Sequence, residues 1–500
     1  MAGAQIPRRT ALALAALPAL SSARATSTSA NPASRTFNVR DFGAKGDGVT
    51  DDTEAFNRAA RADAEWSWDL LSSIIVPAGR YRITGTVFLR KGQSLIGEGL
   101  STYIDATGAQ RSTFVMGRRR DANRGTEDPG GLPVRIERLM GLGGAADQGF
   151  IFAAIPGFQI SGLFLTAVGL GIEIEAADGI ISDIEIDQCL TAFLIRNSQN
   201  LVLSNLNLYL ANYGVRFDSR CRDVTISNSG FFYTRYAAIL LNDGAREIDA
   251  VSIAGCTFAN NIPYDTFAGY IYSRASASDV LVTGCTFRNA PGYAVNQGAG
   301  TDLLMSVQGC VFDGQRTNAV YDQSPSPKGL HLRNGRFLVS NCVFRRMPED
   351  AIRIGAGGGS LSVEGGTIED MRGDPIIAAE TANWTICIRN LSGLARISPN
   401  RDGLAVSMPW LGPQTRWQAT VLAGGGGGTL TAAQLLVSAA GNGIAAEPVW
   451  TAGGRRSDTP PNRPDKPIAA ARRQGQSVTL QLGAHAFGTG WPQIDLIGHA

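Results

Sequence analysis

The sequence predicts an all-β chain wound as a solenoid, with a helix near its N-terminus and a β-rich region after its last coil. Three observations lead there. A short template recurs through the middle of the chain, turn-breaking residues stand at one fixed place in it, and 60 of the 500 residues are glycine, which favours turns over helices. The template is most visible in "GCTF" at 255–258 and 284–287, "GCVF" at 309–312 and "NCVF" at 341–344. With Cys256 as anchor, Val251 and Ile253 precede it on one face of an alternating strand and Phe258 follows. The same spacing surrounds Cys285, Cys310 and Cys342, and it recurs with Leu206, Ser229, Gly366 and Leu391 in the anchor position. Apolar alternation with period 2 inside units of 23 to 32 residues describes stacked coils. The weaker matches at 158–165 and 180–186 extend the stack toward the N-terminus.

Gly or Asn precedes each anchor: Asn205, Asn228, Gly255, Gly284, Gly309, Asn341, Gly365 and Asn390. These residue types tolerate a left-handed backbone, so each unit should bend sharply there. The cysteines then occupy inward positions that other coils fill with Leu, Ser or Gly, and the plain expectation is a small buried residue. Disulfides between coils are the next reading, because the chain looks exported. Zinc is the weakest, with no CxxC and histidine only at 331, 485 and 499. Seven cysteines, with Cys189, Cys221 and Cys387 the other three, cannot all pair.

Residues 1–25 read as an export signal. Arg8 and Arg9 precede an apolar run from Ala11 to Leu20, and Ala23-Arg24-Ala25 is a small-x-small cleavage site. The paired arginines suggest the twin-arginine route in part, and the run is too short to span a membrane. Residues 26–36 are a linker, and the expected location is periplasmic or secreted. The following segment, 37–133, opens with "FNVRDFGAKGDGVTDDTEAFNRAA": a strand, a glycine-rich loop, and a helix whose first turn Asp51 can cap. The phosphate-loop spacing and its Lys-Ser/Thr ending are absent.

That opening, followed by "IIVPAGRYRITGTVFLRKGQSLIGEG" at 74–99, resembles the start of the pectate lyase-like superfamily, in its rhamnogalacturonase/uronan-epimerase-like branch. The resemblance implies a right-handed parallel β-helix over 134–397, with the helix closing its N-terminal end and Asp47, Asp51 and Asp52 as structural loop and cap residues. It also implies work on a polysaccharide by hydrolysis, β-elimination or epimerisation. The polygalacturonase signatures and the Asp-Pro-His element of alginate epimerases are not found, so a standard polygalacturonase is not expected. "IRIG" at 352–355 only faintly echoes an Arg-Ile-Lys signature.

Candidate chemistry lies on outward positions. Aligning "VRFDS", "ILLND", "YIYSR", "AVNQG" and "AVYDQ" puts Asp218, Asn242 with Asp243, Ser273 with Arg274, Gln297, and Asp322 on one polar edge. Neighbouring loops supply Tyr213, Tyr233, Arg235, Tyr236, Tyr264, Asp265 and Tyr293, a mix of aromatic faces and charges suited to sugar rings. Insertions at 259–270 and 321–336 would wall the groove, the second carrying Lys328, His331 and Arg333. A hydrolase would use Asp218 and Asp243 as its two carboxylates. A lyase would use Lys328, His331, Arg235 or Arg274 as the base, with calcium as an optional aid. Against this, Arg288, Asp313, Arg345 and Glu369 form an equivalent row that reads as a solvated ion ladder, and His331 alone reads as a loop residue.

After about residue 397 the template fails. "GGGGG" and "RRSDTPPNRPDKP" are loops or linkers, and "SVTLQLGAHAF" alternates like an antiparallel strand. Residues 398–500 are expected to cover the last coil, or to form a small module or a trimerisation element of tailspike type, which leaves a homotrimer open. Trp410, Trp417, Trp450 and Trp491 read as core before sugar platforms. A net charge of +2 offers nothing for nucleic acid, and no stretch is suited to a membrane span. Two function classes remain: an exported enzyme acting on a polysaccharide, acidic or branched, and a non-catalytic glycan-binding or envelope β-helix.

Overall fold

A computed structural model describes residues 35–62, 71–117, 132–176, 178–241, 248–260, 262, 264–299, 302–314, 327–371, 375–378, 382–389, 391 and 395–397, and beyond these the backbones of strands between 403 and 499. It is a right-handed parallel β-helix. One coil shows the plan. The strand Ile248–Ala254 runs to a corner at Gly255, the short strand Thr257–Ala259 follows, and Gly269–Ser273 forms the third face. Each strand pairs in parallel with its counterpart one coil on, Ala277–Thr283, Thr286–Arg288 and Tyr293–Gln297. The third faces alone make a twelve-strand sheet.

The corners are left-handed where Gly or Asn was expected, with φ from 49° at Asn228 to 68° at Gly365; Asn390 lies outside the described residues. The bend turns the anchor inward. Leu206 N–H donates to Ser229 Oγ at 3.1 Å, and Cys256 and Cys285 N–H donate to the sulfur one coil on, each at 3.4 Å. All seven cysteines are free thiols. Burial raises the Cys189 and Cys221 thiols to about 12 and about 11, so both stay protonated.

Two residues after the anchor the rings of Phe231, Phe258, Phe287, Phe312 and Phe344 stack at 4.7 to 4.9 Å, within 11° of parallel. The stacking distance is the strand spacing itself, so identical residues at one position meet face to face.

The N-terminal end is closed by the helix Thr53–Arg61, whose Phe56, Ala59 and Ala60 are buried. Asp51 binds the first turn as expected, accepting from Thr53 N–H at 3.0 Å. The N-cap position itself belongs to Asp52, and its side chain does not cap the helix. It is 1% exposed and accepts instead from Lys45 and Gly46 N–H, at 2.6 and 3.1 Å. Asp47 accepts from Val49 and Thr50 N–H, which lowers its carboxyl to about 2. Gly46 is required where it stands, since a Cβ would lie 2.9 Å from the Tyr81 ring and φ is 63°. All three aspartates thus hold the opening loop.

At the other end the last long parallel strand, Ala382–Arg389, is met antiparallel by Gln493–His499. That strand leads into an antiparallel set with Arg416–Gly424, Leu430–Ala440 and Gly443–Ala452. Ser477–Gly483 is antiparallel to Gly403–Pro409 and Ala469–Gln474. Antiparallel pairing here occupies an edge that would otherwise expose a row of N–H and C=O groups. Trp410 and Trp491 lie outside the described residues, while Trp417 and Trp450 sit on described strands.

Three substitutions have stated effects on stability. Cys285→Ser should cost no more than about 1.5 kcal/mol, because Ser229 already serves the same position, whereas Phe287→Ala should cost about 3–5 kcal/mol. Thermal unfolding checks both, and reductant should leave the wild-type midpoint unchanged. Asp52→Ala removes two bonds to a buried carboxylate and should lower stability by about 3 kcal/mol, read as a fall in midpoint and faster proteolysis near residue 45.

Candidate functional site

The outward residues of the twelve-strand sheet form a column. Strand register places Arg216, Leu240, Tyr272, Asn296, His331 and Arg353 side by side on successive coils, about 4.8 Å apart. Their inward neighbours Val215, Ile239, Ile271, Val295, Leu330 and Ile352 are buried, and strand alternation turns the column outward.

His331 is the centre of its upper part. The Asn296 amide nitrogen donates to Ala268 C=O at 2.6 Å, which orients the amide, so Asn296 Oδ1 accepts from His331 Nδ1 at 3.0 Å. The proton is therefore on Nδ1, and Nε2 keeps its lone pair. A Cβ on Gly355 would stand 3.1 Å from Nε2 and 3.0 Å from Arg333 Cγ; glycine leaves that space unfilled. Burial, then the charges of Arg333, Arg353 and Lys328, push the imidazole down to about 4. It is neutral at pH 7.

Tyr293 stacks on His331 with ring centroids 4.7 Å apart, and the Lys328 ammonium and Arg353 guanidinium lie 5.3 and 5.9 Å from the Tyr293 ring centre. Burial and then the charge of Asp350 raise the phenol, which therefore holds its proton. Lys328 Nζ pairs with Glu349 Oε2 at 2.7 Å, and Arg353 Nη2 with Asp350 Oδ1 at 2.9 Å.

The lower part is different. Asp218 receives Arg216 Nη2 at 2.8 Å and Arg196 Nη2 at 3.4 Å, and Arg196 also binds the buried Glu173 at 2.8 Å. Tyr213 packs edge-on against Tyr236 at 5.2 Å, and Tyr236 against Tyr272 at 6.0 Å. Asp218 and His331 belong to coils four steps apart, or about 19 Å, and are not brought together.

The other expected site residues are scattered. Asp243 and Asp322 lie outside the described residues, with Asn242. Arg235 lies 6.0 Å from the Tyr264 ring, Asp265 and Arg274 are exposed, and Tyr233 is half-buried at a left-handed corner. Gln297 is not on a polar edge: it is 1% exposed, and its side chain binds Arg333 N–H, Asn334 N–H and Asn334 C=O. Lys328 and His331 do not sit in an insertion. They lie on the coil strand Lys328–Leu332, which pairs with Tyr293–Gln297 where 319–323 was expected. Asp313 is no solvated rung either. It is buried and accepts from Arg345 Nε at 3.1 Å and Arg346 Nε at 2.9 Å, both from the next coil, whose strand Val343–Arg345 pairs Arg345 with Asp313.

The sequence reading passed over Arg216, Tyr272, Asn296, Asp350, Arg353 and Gly355. The available signal was the penultimate residue of each third-face strand, once Lys328–Leu332 is taken as one of them. Among the described residues no three His, Cys, Asp or Glu side chains gather as metal ligands. The carboxylates nearest His331 are paired with Lys328 and Arg353, so the described donors do not fit calcium. No helix among the described residues is long and apolar enough to cross a membrane.

Comparison with known proteins adds the following. Residues 36–130 match the family described as Rhamnogalacturonase A/epimerase, pectate lyase-like. A glucan 1,3-beta-glucosidase of Cochliobolus carbonum is 43% identical over 75 residues, covering 13% of this chain and 10% of that protein; the chain thus spans about a tenth of that relative's length. Among solved structures, the mannuronan C-5 epimerase AlgE6 A-module of Azotobacter vinelandii has TM-score 0.46 and 13% identity, over 71% of this chain and 99% of that one. The surface protein and adhesin PfbA of Streptococcus pneumoniae has TM-score 0.47 and 14% identity, over 69% and 99%. The similarity to the family described as Rhamnogalacturonase A/epimerase, pectate lyase-like is carried by residues 36–130.

Proposed function

We propose that the chain is an exported enzyme that cleaves a uronate-containing polysaccharide by β-elimination, in the groove along the third-face coils. The observation that carries this reading is the neutral His331, its Nδ1 held by Asn296 and its ring stacked on a protonated Tyr293, with Lys328, Arg333 and Arg353 close enough to act on its charge. In the reaction His331 Nε2 takes the proton on the carbon alpha to the uronate carboxyl. The electron pair forms a C=C bond as the bond from the β carbon to the leaving sugar oxygen breaks. The Tyr293 hydroxyl supplies the proton to that oxygen, and solvent exchange resets both groups. The nearby cations stabilise the negative charge that develops.

Hydrolysis is less well supported. It needs one carboxyl that carries a proton and one that is free to act, whereas Asp218, Glu349 and Asp350 are each ion-paired. The Tyr213, Tyr236 and Tyr272 row favours a second reading, a glycan-binding β-helix without catalysis, since aromatic faces alone hold sugars.

The deciding experiment incubates the protein with uronans and neutral polysaccharides, following reducing ends and the ultraviolet absorbance of the unsaturated product together. Both signals should rise on a uronan, and His331→Ala or Tyr293→Phe should cut the rate by about 100-fold or more with little change in melting. Reducing ends without absorbance would mean hydrolysis, and silence in both, with binding retained, would favour the second reading.

The imidazole also predicts two pH effects. The kcat/KM profile should fall as pH drops through about 4, where His331 becomes protonated. Above its ordinary value of 6.5 the imidazole is neutral in both folded and unfolded chains. Between 6.5 and about 4 only the unfolded chain takes up the proton, so the folded state loses about 3 kcal/mol on acidification. His331→Gln should reduce the drop in unfolding midpoint between neutral and mildly acidic buffer; an identical drop in both proteins would contradict the assignment.

A further inference from the structure

Four of the seven cysteines stand in one inward column. Cys256, Cys285, Cys310 and Cys342 are free thiols on four consecutive coils, each no more than 1% exposed. The backbone keeps them in register: Thr286, Val311 and Val343 N–H donate to the carbonyls of Cys256, Cys285 and Cys310, each at 2.9 Å. Neighbouring anchors are therefore one strand spacing apart, about 4.8 Å, and their sulfurs follow one another along the core. Cys256 and Cys285 N–H point at the sulfur of the next coil, each at 3.4 Å. Ser229 precedes the column and Gly366 follows it.

This arrangement suits one kind of ion. Zinc takes four ligands around a point, and a column offers any point between two coils only two sulfurs, which agrees with the absence of three-ligand clusters among the described residues. A soft monovalent ion, copper(I) above all, accepts two thiolate sulfurs on opposite sides. Two metal–sulfur bonds of about 2.3 Å laid end to end span about 4.6 Å, close to the coil spacing. The corners beside the middle sulfurs are exposed, and a Cβ on Gly284 or Gly309 would meet nothing within 4 Å. Hydrogen bonds from the Cys285 and Cys342 thiols also lower the Cys310 thiol, the reverse of what burial does to Cys189 and Cys221.

We propose that the cysteine column is a binding site for soft monovalent metal ions, which enter the gaps between successive sulfurs and link neighbouring coils. Each gap takes one ion, held by a sulfur of the coil on either side. One thiol proton leaves for each ion that binds, so every loaded form is neutral; with all gaps filled, the column carries three thiolates and one thiol around three ions. Neutrality matters because an unbalanced charge in an apolar core is costly. The ion enters and stays monovalent, and no electron moves. Cys285 and Cys310 each serve two gaps. The column lies inside the coils and is separate from the groove around His331.

The test adds silver(I), an air-stable probe, and in a second series copper(I) under argon, to the reduced, folded protein, and counts the ions retained after gel filtration. The background is the triple variant Cys189→Ser, Cys221→Ser, Cys387→Ser, which removes the thiols outside the column. There the column should retain up to three ions, release one proton per ion, and show two sulfur neighbours per ion at about 2.3 Å by X-ray absorption. Adding Cys285→Ser leaves only the gap between Cys310 and Cys342, and adding Cys310→Ser leaves only the gap between Cys256 and Cys285, so each should retain one ion. The two together should retain none, since Cys256 and Cys342 are then three coils, or about 14 Å, apart. Circular dichroism checks the fold of each variant, and Ser229 shows that serine is accommodated at this position. If the triple background does not fold, the loss of ions between the wild type and Cys285→Ser with Cys310→Ser carries the comparison. Retention unchanged by that pair of substitutions, or three or more sulfurs around each ion, overturns the proposal.

Discussion

Everything in this structure depends on coils satisfying one another's backbones in register. The strands of a coil pair with their counterparts in the coils before and after, and an unpaired buried backbone group is costly. Two requirements follow. Corners must fall at the same place in each coil, which is why left-handed Gly and Asn recur one residue before the anchor. Both ends must be closed, which the helix Thr53–Arg61 and the antiparallel strand Gln493–His499 accomplish.

Register also converts sequence separation into columns. Inside, the columns are apolar or small, and five phenylalanines stack because the coil spacing equals a ring-stacking distance. Outside, the same geometry forces charged and aromatic side chains from distant segments into contact. Where opposite charges meet, as in Glu173, Arg196, Asp218 and Arg216, the result is a neutralised network. At His331 burial, and then the charges of Arg333, Arg353 and Lys328, suppress the charged form of the imidazole.

Some of the candidate site is legible in the sequence. Lys328 and His331 are residue types suited to proton removal, and Tyr293 and Tyr236 offer aromatic faces. Their association is not legible, because 321–336 reads as an insertion when Lys328–Leu332 is in fact a strand of the stack. That shift moves His331 from a loop to the outward column and makes Asn296 and Arg353 its neighbours. Asp218 reads as a free carboxylate in the sequence although Arg216 stands two residues before it on the same coil; its second partner, Arg196, comes from the coil before.

Taken alone, the sequence determined the repeating strand, its corner, its inward residues and the contact of Asp51 with the first helical turn, since each of these rests on interactions between residues close in the chain or on a period that repeats; the loop roles of Asp47 and Asp52 came from the family resemblance. The tertiary structure decided which segments count as coils, which outward residues share a column, and how their charges pair. Insertions of varying length carry no period of their own, so only the backbone pairing between coils sets the register that brings Tyr293, Asn296, His331, Asp350 and Arg353 to one place.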